Sequence, residues 1–225
     1  MIIIFRKLLL LLGISSVSLL VACSTTSTNS GKASAGKQTD EWISLFDGKT
    51  LGKWAKTDFS GKGEVSIDKK GNLVLGMGIE LTGVHWTGKD YPTLNYEIQL
   101  EAMRTQGGDF FCALTFPYAD SNASLILGGW GGALVGISSI DDFDASENET
   151  GDVYVFEENR WYKVRLRVTK EKLSAWIDDK QIVEVEVEDR KISMRTGEIE
   201  MSAPLGIATY STTGVIRNIR LRKLD

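Results

Sequence analysis

The strongest constraint in the chain is its two-residue periodicity. In Thr93–Arg104, Tyr96, Ile98, Leu100 and Ala102 fall on one face and Asn95, Glu97, Gln99, Glu101 and Met103 on the other. That alternation is the signature of a strand with one buried face. Asn159–Thr169 repeats it, with Tyr162, Val164, Leu166 and Val168 against Trp161, Lys163, Arg165 and Arg167. Glu64–Asp68 and Asn72–Met77 flank Lys69-Lys70-Gly71, and Lys172–Asp178 and Gln181–Glu188 flank Asp178-Asp179-Lys180. Both have hairpin spacing. Beyond the first 22 residues, no run of twelve or more residues carries helical apolar spacing. Many short strands between turn signals predict an all-β protein, an antiparallel β-sandwich.

The N-terminal segments stand apart from this pattern. Arg6 and Lys7 precede the apolar or small run Leu8–Ala22, which reads as a secretory signal and is too short for a comfortable membrane span. Leu20-Val21-Ala22-Cys23 resembles the bacterial lipoprotein cleavage box. The resemblance implies that Cys23 becomes the first mature residue and carries acyl chains that anchor it in a membrane. Ser24 after the cysteine is similar to the pattern of outer-membrane sorting, so the expected address is the cell envelope. Residues 23–40 are Ser-, Thr-, Gly- and Lys-rich and read as a flexible tether. Residues 41–225 then form one domain, long enough to bury a sizeable core.

Charge and cysteine content exclude two classes. Removing Arg6 and Lys7 takes the formal charge from −4 to −6. A mildly acidic mature protein is expected to have no basic stripe for phosphate, so nucleic acid is not an expected partner. Cys23 is committed to the anchor, which leaves Cys112 alone. No intrachain disulfide is expected, and Cys112 within FFCALTF reads as a small buried hydrophobe.

The stretch from Gly107 to Thr150 carries the candidate chemistry. Asp109–Pro117 is strand-like, and alternation points Phe110, Cys112, Leu114 and Phe116 to the core. Asp109 and Phe111 then share the other face, at the strand start. Gly128-Gly129-Trp130-Gly131-Gly132 would weaken a strand unless the backbone turns sharply there. Its tryptophan is either an exposed stacking face for a sugar or a buried packing corner. The loop Asp141–Thr150 holds Asp141, Asp142, Asp144, Glu147 and Glu149. Its oxygens could bind Ca²⁺, or Glu147 and Asn148 could hydrogen-bond sugar hydroxyls. No other cofactor is expected. His85 is the chain's lone histidine, and in a strand a structural or surface role competes with catalysis. Glu97, Gln99 and Glu101 project alike, at roughly 6.6 Å spacing. They read as solvated charges that pair with Arg165 and Arg167, or as paired carboxylates for sugar chemistry.

The opening LFDGKTLGKW and the ordered blocks DFFCALTFP, LGGWGG, NRWYKVRLRVT, AWIDD and PLGIATY resemble the DUF1080 family, the 3-keto-disaccharide hydrolase domains. The match runs from Trp42 to the C-terminus. The resemblance implies a concanavalin A-like β-sandwich of jelly-roll type and a 3-keto glycoside as substrate. The 3-keto group acidifies the C2 hydrogen, so a base could remove it, expel the C1 substituent and let water add back. Asp109 or Glu147 is the expected base. Asn148, Arg160 or His85 is the expected oxyanion partner, and Phe111 and Trp130 the stacking surface. The alternatives are a non-catalytic carbohydrate-binding module on a lipid tether, or a structural envelope lipoprotein that meets another protein. The assembly state is not legible.

Overall fold

The computed structural model describes residues 41–225. The signal segment, Cys23 and the tether lie outside the described residues. Among the described residues the strands run in chain order: β1 (Ile43–Ser44), β2 (Trp54–Lys56), β3 (Val65–Ile67), β4 (Leu73–Leu75), β5 (Leu81–Trp86), β6 (Tyr96–Gly107), β7 (Cys112–Tyr118), β8 (Ser121–Gly128), β9 (Leu134–Ser138), β10 (Asp152–Val153), β11 (Tyr162–Val168), β12 (Lys172–Ile177), β13 (Lys180–Glu186), β14 (Gly206–Tyr210) and β15 (Thr212–Lys223). They build two antiparallel sheets. Sheet 1 has the order β13-β12-β11-β6-β15-β4-β3, with β1 also paired to β15. Sheet 2 has the order β10-β9-β8-β7-β14-β5-β2. The fold is a concanavalin A-like β-sandwich.

The core lies between the sheets because each strand offers one apolar face. Ile98 and Leu100 of β6, Val164 and Leu166 of β11, and Leu114 and Phe116 of β7 are buried there. Each such side chain contributes about 1.5–3 kcal/mol of burial. Both expected hairpins form, with Val65 opposite Leu75 and Leu173 opposite Val185. Asp68 closes the first by accepting the Lys70 and Asn72 N–H groups at 2.8 and 2.9 Å. Cys112 is a free thiol in the core, and burial pushes its pKa up to about 12, which keeps it un-ionised.

Trp54 and Phe46 are core residues, but Trp42 lies outside it, 4.7 Å from the Arg220 guanidinium. In β15 a bulge between Arg217 and Arg220 shifts the register, so Ile216, Ile219 and Leu221 face the core and Val215 does not share their phase. The bulge frees Arg217 to bond Glu101 on the outer face at 2.9 Å.

Glu97 is the exception to the polar outer face: its side chain is fully buried. Arg165, Arg167 and Arg222 enclose it, with Arg167 Nε and Arg222 Nε donating at 2.7 and 2.8 Å. Burial by itself raises the carboxyl pKa, and the arginine hydrogen bonds outweigh it, leaving the group below its ordinary value. A depressed carboxyl pKa contributes stability above the ordinary value of about 4.3. That contribution disappears as the pH falls through the folded-state value. We expect Glu97→Gln to cost about 2–3 kcal/mol in urea unfolding at pH 7, with the difference from wild type shrinking below about pH 4. An equal cost at pH 7 and pH 3 would contradict this role.

Candidate functional site

The outer face of sheet 2 begins with small side chains. Ala113 of β7, Ile126 of β8 and Ala208 of β14 form a second apolar cluster with Phe59, Leu81 and Ala145. Phe110, Ile199 and Tyr210 pack on it from the side. Above this floor lies a cleft of about 400 Å³ whose wall includes Glu80, Asp109, Phe110, Trp130, Arg195 and Glu198, with Tyr210 beside them. That volume lies within the range of small-molecule sites.

The tryptophan turn forms one rim. Gly128, Trp130, Gly131 and Gly132 all take positive φ, at 81°, 47°, 89° and 101°. Left-handed backbone costs a residue with a Cβ roughly 1–2 kcal/mol, so Trp130 needs external support. Asp109 supplies it. Its Oδ2 accepts the Gly131 N–H at 3.1 Å and its Oδ1 accepts the Phe110 N–H at 2.7 Å. The buried Arg104 donates to Gly132 O at 3.2 Å and Phe156 O at 2.9 Å. A Cβ at Gly132 would lie 2.8 Å from Arg104 Nη1 and 2.9 Å from Gly108 O, so no larger residue fits. The outcome is an indole that is 45% exposed.

The strand phase at Asp109 differs from the expectation. Asp109 and Phe110 precede β7, and their side chains line the cleft. Phe111 is fully buried, packed edge-on to Phe156 at 4.9 Å, so it cannot stack on a ligand. Phe111 and Cys112 are both core residues because alternation starts only at Cys112. Before it, the chain is pinned by the Asp109 clamp and by the Tyr210 N–H bond to Phe110 O at 3.0 Å.

The acidic loop contributes indirectly. Asp141 and Glu149 bond Arg190, and Asp142 bonds Lys191 at 2.7 Å. Asp144 bonds Arg195 and accepts the Ser139 hydroxyl at 2.8 Å. Asp141 and Glu149 share Arg190, Asp142 and Asp144 go to Lys191 and Arg195, and among the described residues no group of three or more His, Cys, Asp or Glu is placed to hold a metal ion. Asn148 is spent on the backbone: its Nδ2 donates to Ile137 O and Phe143 O, and its Oδ1 accepts from Thr150. Glu147 is exposed and outside the cleft. His85 bonds Thr57 at 3.1 Å, and Arg160 pairs with Asp178 at 2.9 Å over the Tyr162 ring. Neither lines the cleft.

Of the sequence-derived candidates, Asp109 and Trp130 are brought together. Phe111, Asn148, Glu147, His85 and Arg160 are not. Glu80, Phe110, Arg195, Glu198 and Tyr210 were missed. The signal available for Arg195 and Glu198 was the long connection from Val187 to Leu205, since structure-poor connections of that length are usually functional. Arg195 is held by Asp144 and sits 5.8 Å from the Trp130 ring. Glu198 Oε2 accepts the Ser60 N–H at 2.9 Å. The Glu80 carboxylate has no partner among the described residues, and it is exposed at the cleft edge.

Residues 41–222 match the 3-keto-alpha-glucoside-1,2-lyase-like domain family. The chain belongs to that family. Among solved structures, domain 4 of AbnA, a GH43 extracellular arabinanase from Geobacillus stearothermophilus in complex with arabinotriose, is similar at 13% identity and a TM-score of 0.51. That match covers 82% of this chain and 91% of that one. A Crh5 transglycosylase in complex with NAG is similar at 12% identity and a TM-score of 0.50, covering 79% and 84% of the two chains. At these identities the likeness concerns the sandwich fold. No curated protein matches the sequence.

The turn geometry makes a prediction. Asp109→Ala removes the acceptor of the exposed Gly131 N–H and should cost about 0.5–1.5 kcal/mol, with a changed emission of Trp130 in the folded state. Chemical denaturation and fluorescence of Asp109→Ala, referenced to Trp130→Phe, check it. Unchanged stability together with unchanged Trp130 emission would rule out the clamp.

Proposed function

We propose that the cleft binds a neutral carbohydrate and cleaves 3-keto glycosides by elimination followed by hydration. The observation that carries this reading is the pairing of an exposed tryptophan platform with the unpartnered Glu80 carboxylate in one sugar-sized cleft. The aromatic rings of Trp130, Phe110 and Tyr210 suit the C–H faces of a sugar ring, and the surrounding hydroxyls and charges suit its polar edges. Membership of a lyase-like family supports bond cleavage between C1 and its substituent across C1–C2.

The roles follow from what each side chain still has free. Asp109 is committed to the turn, and Glu147 lies elsewhere, so Glu80 is the base. It takes the C2 proton that the 3-keto group has acidified, and the electron pair moves into an enolate whose oxygen is the former ketone. The enolate then re-forms the ketone as the C1–O bond breaks and the departing alkoxide takes up a proton. Water adds across the resulting C1–C2 double bond, its hydroxyl to C1 and its proton to C2. Arg195 replaces Asn148, Arg160 and His85 as the partner of the enolate oxygen. Glu198 is the acid for the leaving group, its Oε1 being the oxygen not engaged by Ser60.

Incubating the protein with 3-keto-glucosides should release the C1 substituent. Glu80→Gln should lower turnover by about 10²–10⁴-fold while leaving sugar binding within about threefold. No release by wild type, with or without added divalent metal, would remove the enzymatic reading. Retained sugar binding would then favour the carbohydrate-binding module, which the exposed Trp130 face alone could support. We also infer that lipid on Cys23 holds the domain at the envelope surface. Cys23→Ser should move the protein from the membrane fraction to the soluble one.

A further inference from the structure

The outer face of sheet 1 presents a second surface of opposite charge. The described domain holds 22 Lys and Arg against 29 Asp and Glu, a formal charge of −7. Yet the neighbouring strands β11, β6 and β15 gather Lys163, Arg165, Arg167, Arg217, Arg220 and Arg222 around only two carboxylates, Glu97 and Glu101. Six cations against two anions leave a local excess of four. A purely structural ladder would need no such excess, because matched carboxylates stabilise a sheet face without it.

The guanidiniums are set in place by indoles. Arg165 lies 3.7 Å from the Trp176 ring centre, Arg217 lies 3.9 Å from Trp161, and Arg220 lies 4.7 Å from Trp42. Stacking fixes the plane of each guanidinium, and the N–H groups not already given to Glu97, Glu101 and Gln99 remain for a ligand. Arg220 donates to Gln99 Oε1 at 3.1 and 2.7 Å, so its hydrogen-bond partner there is a neutral amide. The Lys163 ammonium is exposed and makes no hydrogen bond or ion pair among the described residues. Two shallow depressions lie on this face. One, of about 310 Å³, is bordered by Lys163, Arg165 and Trp176, with Asp178 and Asp179 at its edge. The other, of about 860 Å³, is bordered by Trp161 and Arg217 and by Lys49, Lys69 and Lys70, with Asp47 and Asp68 among them.

We infer that the outer face of sheet 1 is a docking surface for a linear acidic polysaccharide, a chain of uronic acid residues. Its charge complements the carboxylates, and its cations are spread along adjacent strands as a repeating polyanion requires. No large exposed apolar side chain stands on β6, β11 or β15, so the face offers nothing to insert into a lipid surface. That the polyanion is a glycan rests on the carbohydrate reading of the cleft. The two sites lie on different sheets, and the cleft carries Glu80, Asp109 and Glu198 around a neutralised Arg195, so it disfavours uronates.

Affinity electrophoresis of the full chain through polygalacturonate tests this, with dextran as the neutral polymer. Polygalacturonate should retard the wild type at about 20 mM salt, with affinity falling by about tenfold at 200 mM, because exposed charges are screened. The double variant Lys163→Gln, Arg220→Gln removes two cations without breaking an ion pair to Glu97 or Glu101, so its thermal melt should stay near wild type. It should bind at least about tenfold more weakly and with a shallower salt dependence. Trp130→Ala should bind polygalacturonate as wild type does, even if the cleft reading fails. Equal retardation by dextran, an unaffected double variant, loss on Trp130→Ala, or binding to phosphatidylglycerol vesicles but not to polygalacturonate would each overturn the proposal.

Discussion

Two sheets that share one apolar core leave each strand only its outward side chains for chemistry. Everything distinctive about this domain follows from how the two outer faces use them. Buried positions such as Ile98, Leu114 and Leu166 are interchangeable in kind, because all they supply is apolar volume. The outer positions are not. Sheet 1 fills them with arginine, glutamate and tryptophan, whereas sheet 2 fills them with alanine, glycine and short hydroxyl side chains that leave room above the floor.

That division explains why the cleft sits on sheet 2. Small side chains on β7, β8 and β14 create depth, and connections rather than strands supply the walls. The tryptophan turn leaves β8 with left-handed backbone and is braced by Asp109 from the start of β7. The chain between β13 and β14 crosses over the same face and delivers Arg195 and Glu198. The acidic loop after β9 orients Arg195 through Asp144, and Lys191 and Arg190 neutralise its remaining aspartates and Glu149. The carboxylates of Asp141, Asp142, Asp144 and Glu149 make the loop an ion-paired strut.

What was legible in the sequence was whatever depends on neighbours a few residues apart. The alternation of β6 and β11, the hairpin at Asp68 and the hairpin at Asp178 all appear where periodicity and turn residues place them. The glycines around Trp130 signalled a sharp turn, and one is present. Long-range pairing was not legible. Nothing within the loop 141–150 reveals that Arg190, Lys191 and Arg195, some fifty positions later, will claim its carboxylates. The Phe110 and Phe111 exchange failed for a related reason. Alternation was extended through Asp109, whereas a side-chain clamp to Gly131 and the aromatic nest of Phe156 and Tyr162 set the phase there. Of the two β6 glutamates expected to pair as solvated charges with Arg165 and Arg167, Glu97 takes both arginines and is buried beneath them, whereas Glu101 pairs with Arg217.

The reading of the cleft turns on where a sugar ring settles. A crystal structure with a slowly cleaved 3-keto-glucoside is the most direct measurement. The ring should lie on the Trp130 indole with its C2 hydrogen toward Glu80 and its ketone oxygen toward Arg195. A ring bound on the sheet 1 face, or one in the cleft with C2 turned away from Glu80, would contradict the account.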